Sequence, residues 1–424
     1  MKGWSFLKIK DYPIQIIDGD RGANYPTKEE FLEDGHCLFL NTGNVTLSGF
    51  KFDEKVFVTE EKHKKLRKGH LQRGDIVLTT RGTIGNVAFY DESIKYGVIR
   101  INSGMLILRP DLNKLNAQFF YGLVRSSIFQ QQADLFRYGA AQPQLPIGTL
   151  NHIRLPLPPL PTQKKIAGIL SAYDDAIENN LRRIKLLEEM AQITYEEWFV
   201  RLRFPGHEST PINEATGLPD GWGKKQIKDI GEVVTGKTPS TTNQDFFGDE
   251  VPFIKTPDMA NAPSVISTTQ SLSGLGADSQ KNKYLPKNSL MVSCIGTAGA
   301  TGLVAVASQT NQQINSIVFK DSAYCFFMYC FSRRLKPLLE GLGSNGATMT
   351  NVNKTKFEGI EFDCPAQDIL VSFNAKVSLN FESILNLQFQ NQLLREARNI
   401  LLPRLMTGVI DAEKYQPENF LKKN

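Results

Sequence analysis

Residues Gly231–Thr238, GEVVTGKT, have the spacing of a phosphate-binding loop, in which glycines free a turn so that backbone amides and a lysine can cradle phosphate. Two further sets have the composition of a reaction centre. Gly341–Gly346, GLGSNG, carries the glycine spacing of a dinucleotide or S-adenosylmethionine loop. Asp53, Glu60 and Lys62 flank one short apolar run in the manner of a magnesium nuclease.

Each set needs a particular element to place it. A phosphate loop must open directly into a helix, but PSTTNQDFFGDEVP follows, turn-rich and without helical period. No apolar strand ends in an Asp suited to holding magnesium. A dinucleotide loop must follow a strand, whereas GLGSNG follows the helical pattern FSRRLKPLLE, and a helix closing at Gly341 accounts for its glycines. The Asp53 set reads as solvated charges beside an edge strand. There is no His-Glu-x-x-His, no Ser/Cys–His arrangement and no adenine-methyltransferase signature. The expectation is a chain with no catalytic residue, no metal site and no cofactor of its own.

The 424 residues are 41% hydrophobic and 22% charged, ordinary values for a soluble chain of two or three domains. Cys37, Cys294, Cys325, Cys330 and Cys364 show no C-x-x-C pair and no zinc spacing, and so read as reduced packing residues. No signal core and no apolar run of about 18 residues is present, which points to the cytoplasm. A net charge of +5 permits a polyanionic partner if the basic residues cluster.

The elements themselves are written twice. IIDGDRGANYP (16–26) is similar to VVTGKTPS (233–240), with Gly19 matching Gly236. GDIVLTTRGTIGNV (74–87) is similar to NSLMVSCIGTAGAT (288–301), with Gly82 matching Gly296 and Gly85 matching Gly299. RINSGMLI (100–107) is similar to QINSIVF (313–319), and GAAQPQLPIGTLNHIRLPLP (139–158) to GATMTNVNKTKFEGIEFDCP (346–365). These pairs keep their order at an offset of roughly 200 to 217 residues, so an internal duplication is expected. In the first copy Asp20 stands where Lys237 stands in the second, so the turn forms without a lysine.

Each copy reads as short β-branched strands broken by Gly, Asn and Pro, followed by a long helix after a proline-rich entry. Apolar residues recur at 3-4 spacing from Ile166 to Trp198 and again from Leu370 to Leu405, the pattern of a narrow helix–helix seam. Asn180 and Asn380 fall in that seam, where a polar residue fixes register. Two separate amphipathic helices, each packed on its own domain, are the other reading. The expected divisions are a β-rich module over 1–158, a helix over 159–204, a second module over 205–365, a helix over 366–410 and a polar tail over 411–424.

The ordered set DGDRGANYP, GDIVLTTRGTIGN, LPLPPLPTQKKIAGIL, GKTPS, GATMTNVN and LLPRLMTGVI resembles the specificity subunit of type I restriction–modification enzymes, over essentially the whole chain. Two features depart from the family's pattern: the second helix entry, CPAQ, is shorter than the first, and Pro403 interrupts the end of the second helix. The resemblance implies an α+β fold of two β-rich target recognition domains joined by two long antiparallel helices, a coiled-coil spacer with pseudo-two-fold symmetry. It implies double-stranded DNA as partner, with two methyltransferase subunits that bind S-adenosylmethionine and two restriction/translocase subunits that use ATP and magnesium. A duplicated module with unlike halves suits two unlike half-sites about one DNA turn apart. The alternative class is a stand-alone nuclease or methyltransferase with an unrecognised site.

Phosphate contacts call for basic clusters, and KHKKLRKGHLQR (62–73) holds six Lys/Arg without an acid. From it come Lys64, Lys65, Arg67 and Lys68. Arg81, Arg100 and Arg137 join them in the first half, with Lys237 and Lys255 in the second. Base edges call for amides and hydroxyls on loops. Thr83, Gln142, Gln144, Thr297, Gln312, Gln313, Asn345, Thr348 and Asn351 are the candidates. For the methyltransferase subunits, Tyr195, Trp198 and Phe199 are expected to form an aromatic docking surface on the first long helix.

Overall fold

The computed structural model describes residues 4–137, 144–259, 263–296, 298–343 and 350–415. The chain forms two units: residues 1–176 with 394–424, and residues 177–393.

In the first unit, β1 (Ile14–Asp18), β2 (Cys37–Leu40), α1 (Glu60–Lys65), β3 (Ile76–Thr79), β4 (Val87–Phe89), β5 (Ile99–Ile101), β6 (Met105–Pro110) and α2 (Ala117–Arg125) follow in chain order. An antiparallel sheet runs β1-β6-β3-β4. Alternation along its strands buries both faces. Ile76, Leu78, Leu106 and Leu108 meet Phe119, Phe120 and Leu123 of α2 on one side. Val77, Met105 and Ile107 meet Leu38, Leu40, Ile99 and Ile101 on the other. There β2 and β5 pair in parallel, with Leu40 opposite Ile101.

The first long helix, α3 (Leu160–Tyr195), runs 36 residues and closes in one π turn, Glu196–Val200. Its start is pinned by the buried Gln163, whose Nε2 donates to the carbonyls of Lys114 and Pro158 while its Oε1 accepts from the Asn116 amide.

The second unit repeats the order with β7 (Gly231–Thr235), β8 (Val251–Ile254), α4 (Gly274–Asp278), β9 (Leu290–Ser293), β10 (Thr301–Val304), β11 (Gln309–Thr310), β12 (Ile314–Phe319) and α5 (Tyr324–Ser332). Its sheet runs β7-β12-β9-β10, with the two residues Ser264–Val265 added in parallel beyond β10, and β8 pairs with β11 in parallel, with Ile254 opposite Thr310. The final helix, α6 (Gln367–Met406), has 40 residues and carries Pro403 within its last turn.

The duplication is therefore structural. Gly82 and Gly85 have φ of +67° and +90°, and Gly296 and Gly299 repeat this with +77° and +91°. A Cβ on Gly19 would lie 2.2 Å from the Asn102 carbonyl oxygen, and one on Gly236 would lie 2.1 Å from that of Asn311. One expected match shifts, however. The parallel ladders end at Ile101 and Thr310, which pairs Asn102 with Asn311 and Arg100 with Gln309, four residues earlier than the Gln313 match.

Each unit holds part of both long helices, which run antiparallel. In the second, the buried Asn180 donates to Asn391 Oδ1 at 3.0 Å, and Asn380 Nδ2 reaches the Leu187 carbonyl at 3.5 Å. In the first, Asp174 pairs with Arg398 and Lys165 with Glu413. The polar seam residues meet across a helix pair, as register-fixing residues do. Among the described residues, no helix is long and apolar enough to cross a membrane.

Candidate nucleic-acid interface

The three reaction-like sets come apart. Gly231–Thr235 is a strand, and the residues after Gly236 form no helix before a short turn at Gln244–Phe246. Gly341–Gly343 lie inside the helix Lys336–Gly343, which runs two residues beyond the expected stop at Gly341, and the last three residues of GLGSNG lie outside the described residues. Asp53 pairs with Lys51, Glu60 with Lys64 and Lys62 with Glu30, three separate ion pairs. Among the described residues no group of side chains could hold a metal ion. All five cysteines are buried and free, and burial pushes the Cys37 and Cys294 thiols up to about 12 and about 11.

What does converge is a set of loops at one end of each sheet. In the first unit these follow β1, β2, β3 and β5. Arg21 pairs with Asp18 and donates to the Ser103 carbonyl at 3.2 Å. The Arg81 amide donates to the Gly104 carbonyl, and Arg81 forms an antiparallel bridge with Gln144. Thr83 Oγ1 donates to the Thr42 carbonyl at 3.4 Å. Arg137, paired with Asp134, donates to the Ile84 carbonyl behind the glycine turn. A cleft of about 180 Å³ opens between Asp18, Arg21, Arg81 and Gln144.

The exposed Arg67 and Lys68 join this end because the Arg67 amide donates to Asp20 Oδ2 at 2.8 Å. The amides of Gly22 and Arg67 hold the Asp20 carboxyl below the usual carboxylate range. Lys64 and Lys65 lie on the outer face of α1, ion-paired with Glu60 and Glu61 from its first turn. The basic run is thus neutralised over its helical part and open just beyond it.

Arg100 corrects the sequence reading. Its side chain is buried, with the residue 6% exposed, and it donates to the carbonyls of His63, Leu66 and Lys68 and to His63 Nδ1. A guanidinium so engaged holds the end of α1 and does not reach DNA. Burial and the Arg100 charge together push His63 down to about 4.

In the second unit the same sheet end carries the exposed Lys237 and Gln312, with Thr238 Oγ1 donating to Gln312 Oε1 at 2.7 Å. Asn311 Nδ2 donates to Gln313 Oε1, and Thr235 Oγ1 donates to Asn315 Oδ1. Asn351 is exposed and pairs with Ile295, the counterpart of the Arg81–Gln144 bridge. Lys255 is half-buried at the end of β8, with its Nζ 5.9 Å from the Phe253 ring. Gln142, Thr297, Asn345 and Thr348 lie outside the described residues. Asp20, Arg21, Thr238, Gln280 and Gln309 also shape these sheet ends and were not picked out from the sequence. The signal for the first was the match of Asp20 to Lys237.

The aromatic docking surface is also corrected. Tyr195, Trp198 and Phe199 are buried in the second unit's core. Phe199 lies 4.8 Å from Phe327 and 4.9 Å from Phe373, both edge-on, and Trp198 lies 5.8 Å from Phe373. These rings close the helix end onto its own module.

Residues 1–189 and 219–376 match the family described as the type I restriction modification DNA specificity domain. The chain is 29% identical to the type I restriction enzyme HindI specificity subunit of Haemophilus influenzae, an alignment covering 95% of this chain and 99% of that one. It is 26% identical to the MjaIX specificity subunit of Methanocaldococcus jannaschii, over 97% and 95% of the two chains. The fold is that of the type I restriction–modification S subunit from M. genitalium, with a TM-score of 0.56 at 15% identity over 95% of this chain and 96% of that one.

Proposed function

The chain belongs to the type I restriction–modification DNA specificity family, and we propose that it is the DNA-recognition subunit of such a system, reading an asymmetric target of two unlike half-sites. The observation that carries this reading is the repeated sheet end. The same loops, built on the same glycines, occur once in each unit and present different side chains: Arg21, Arg67, Lys68, Arg81 and Gln144 in one, Lys237, Thr238, Gln312 and Asn351 in the other. Cations there supply phosphate affinity, and amides and hydroxyls supply base discrimination.

The chain serves recognition and assembly. Methyl transfer, ATP-driven translocation and cleavage, with S-adenosylmethionine, ATP and magnesium, belong in this reading to partner subunits, two methyltransferase and two restriction subunits, in the bacterial or archaeal cytoplasm. The test is selection from a randomised duplex library by the full-length chain co-purified with its partners. The expected bound pool shows two unlike defined blocks separated by undefined positions. A single uninterrupted motif, or no motif, would sink the proposal.

A further inference from the structure

The loop behind the short helix is joined to the glycine turn in both units, the loop donating and the turn accepting each time, but the side chain comes from the turn in one unit and from the loop in the other. Asp20 and Lys237 both directly follow the glycine that packs on a strand end. Arg67 and Gln280 are both the second residue after the helix, α1 ending at Lys65 and α4 at Asp278. In the first unit the turn supplies a side-chain acceptor: Asp20 Oδ2 accepts from the Arg67 amide at 2.8 Å, while its Oδ1 accepts from Gly22. In the second unit the loop supplies a side-chain donor: Gln280 Nε2 donates to the Lys237 carbonyl at 2.9 Å and to Gln309 Oε1 at 2.7 Å. Gln280 is 5% exposed, so this joint is internal.

A local turn role does not account for the first joint. The Asp20–Gly22 bond is local, but the bond to Arg67 crosses 47 positions of sequence. An unengaged acid would also oppose a phosphate-facing surface, whereas a carboxylate held by two amides acts as a clamp. A loop already fixed gives up less freedom when it docks.

We propose that Asp20 and Gln280 are positioning residues for half-site reading: each locks the loop behind its helix onto the glycine turn, fixing where Arg67 and Lys68 in the first unit, and Lys237 in the second, meet DNA. The proposal rests on the bipartite recognition reading above. Two effects of Asp20→Ala pull in opposite directions, which makes the variant decisive. Removing a surface acid strengthens binding to every sequence, whereas loosening the clamp weakens preference within one half-site only.

The experiment uses the full-length chain with its partner subunits and a randomised duplex library, with base preferences read from the bound fraction. Asp20→Ala is expected to lower preference about tenfold across one half-site, the size of one lost charge-assisted hydrogen bond, and to leave the other intact. Gln280→Met is expected to do the reverse. Urea unfolding run in parallel shows whether Gln280→Met retains its fold, and the half-exposed Asp20 carries the decision if it does not. Uniformly tighter binding with preferences intact, equal loss in both half-sites, or no change would overturn the proposal. A wild-type complex that selects no bipartite site would overturn the recognition reading itself.

Discussion

Arg100 and Gln309 stand at the same step of the short parallel ladder in their two units, and both donate to backbone carbonyls at the end of a short helix. Arg100 reaches His63, Leu66 and Lys68, and Gln309 Nε2 reaches Ala277 at 2.9 Å. A cation satisfies three carbonyls where an amide satisfies one well. Arg100→Met should therefore destabilise the first unit by about 3 kcal/mol, and Gln309→Met the second by about 1–2 kcal/mol. Urea denaturation measures both, and equal losses would refute the ranking.

His63 supplies a pH dependence. Its folded value, about 4, lies below the ordinary 6.5, so between these values the unfolded chain binds more protons. Stability should fall as pH drops from about 6.5 towards 4, and His63→Asn, which keeps an acceptor for Arg100, should flatten that slope. Melting temperature against pH measures it, and an unchanged slope in the variant would count against the assignment.

Trp198→Ala and Phe199→Ala should each cost about 3–5 kcal/mol of stability in the second unit, because both rings fill a packed core. Loss of partner binding at full stability would restore these rings to a docking role. Calorimetry beside gel filtration of the assembled complex separates the two outcomes.

Asn180→Leu should cost about 1–3 kcal/mol by leaving Asn391 buried without its partner. The double change with Asn391→Leu should recover most of this, since replacing both partners by apolar groups is nearly neutral. Denaturant melts of the three variants decide it, and additive losses would show that the pair is not coupled.

Lys237→Ala should leave ATP turnover of the assembled enzyme within a few-fold of wild type, as no helix follows the Gly236 turn. It should reduce the salt slope of DNA binding by roughly one. A selective collapse of ATP turnover with DNA affinity intact would revive the phosphate-loop reading.

By itself the sequence determined the duplication, the helix pair and the absence of a phosphate loop at Gly231–Thr238, because each has a local cause. Gly82, Gly85, Gly296 and Gly299 are required where φ is positive, Gly19 and Gly236 where the backbone leaves no room for a Cβ, and 3-4 spacing marks a helical seam at any distance from its partner. Arg67 and Arg100 look alike as letters, and only the fold decided that one is exposed and the other is enclosed by carbonyls. Burial depends on what returns from far along the chain. The same holds for Trp198 and Phe199, aromatic at a helix end and committed to the core only once Phe327 and Phe373 pack against them. The true partner of Arg100 was hidden for a related reason. The three letters shared by Ile101–Ser103 and Ile314–Ser316 outweighed Gln309 in the sequence, whereas the ladders from Leu40 to Ile101 and from Ile254 to Thr310 set register by hydrogen bonds that no local spacing encodes.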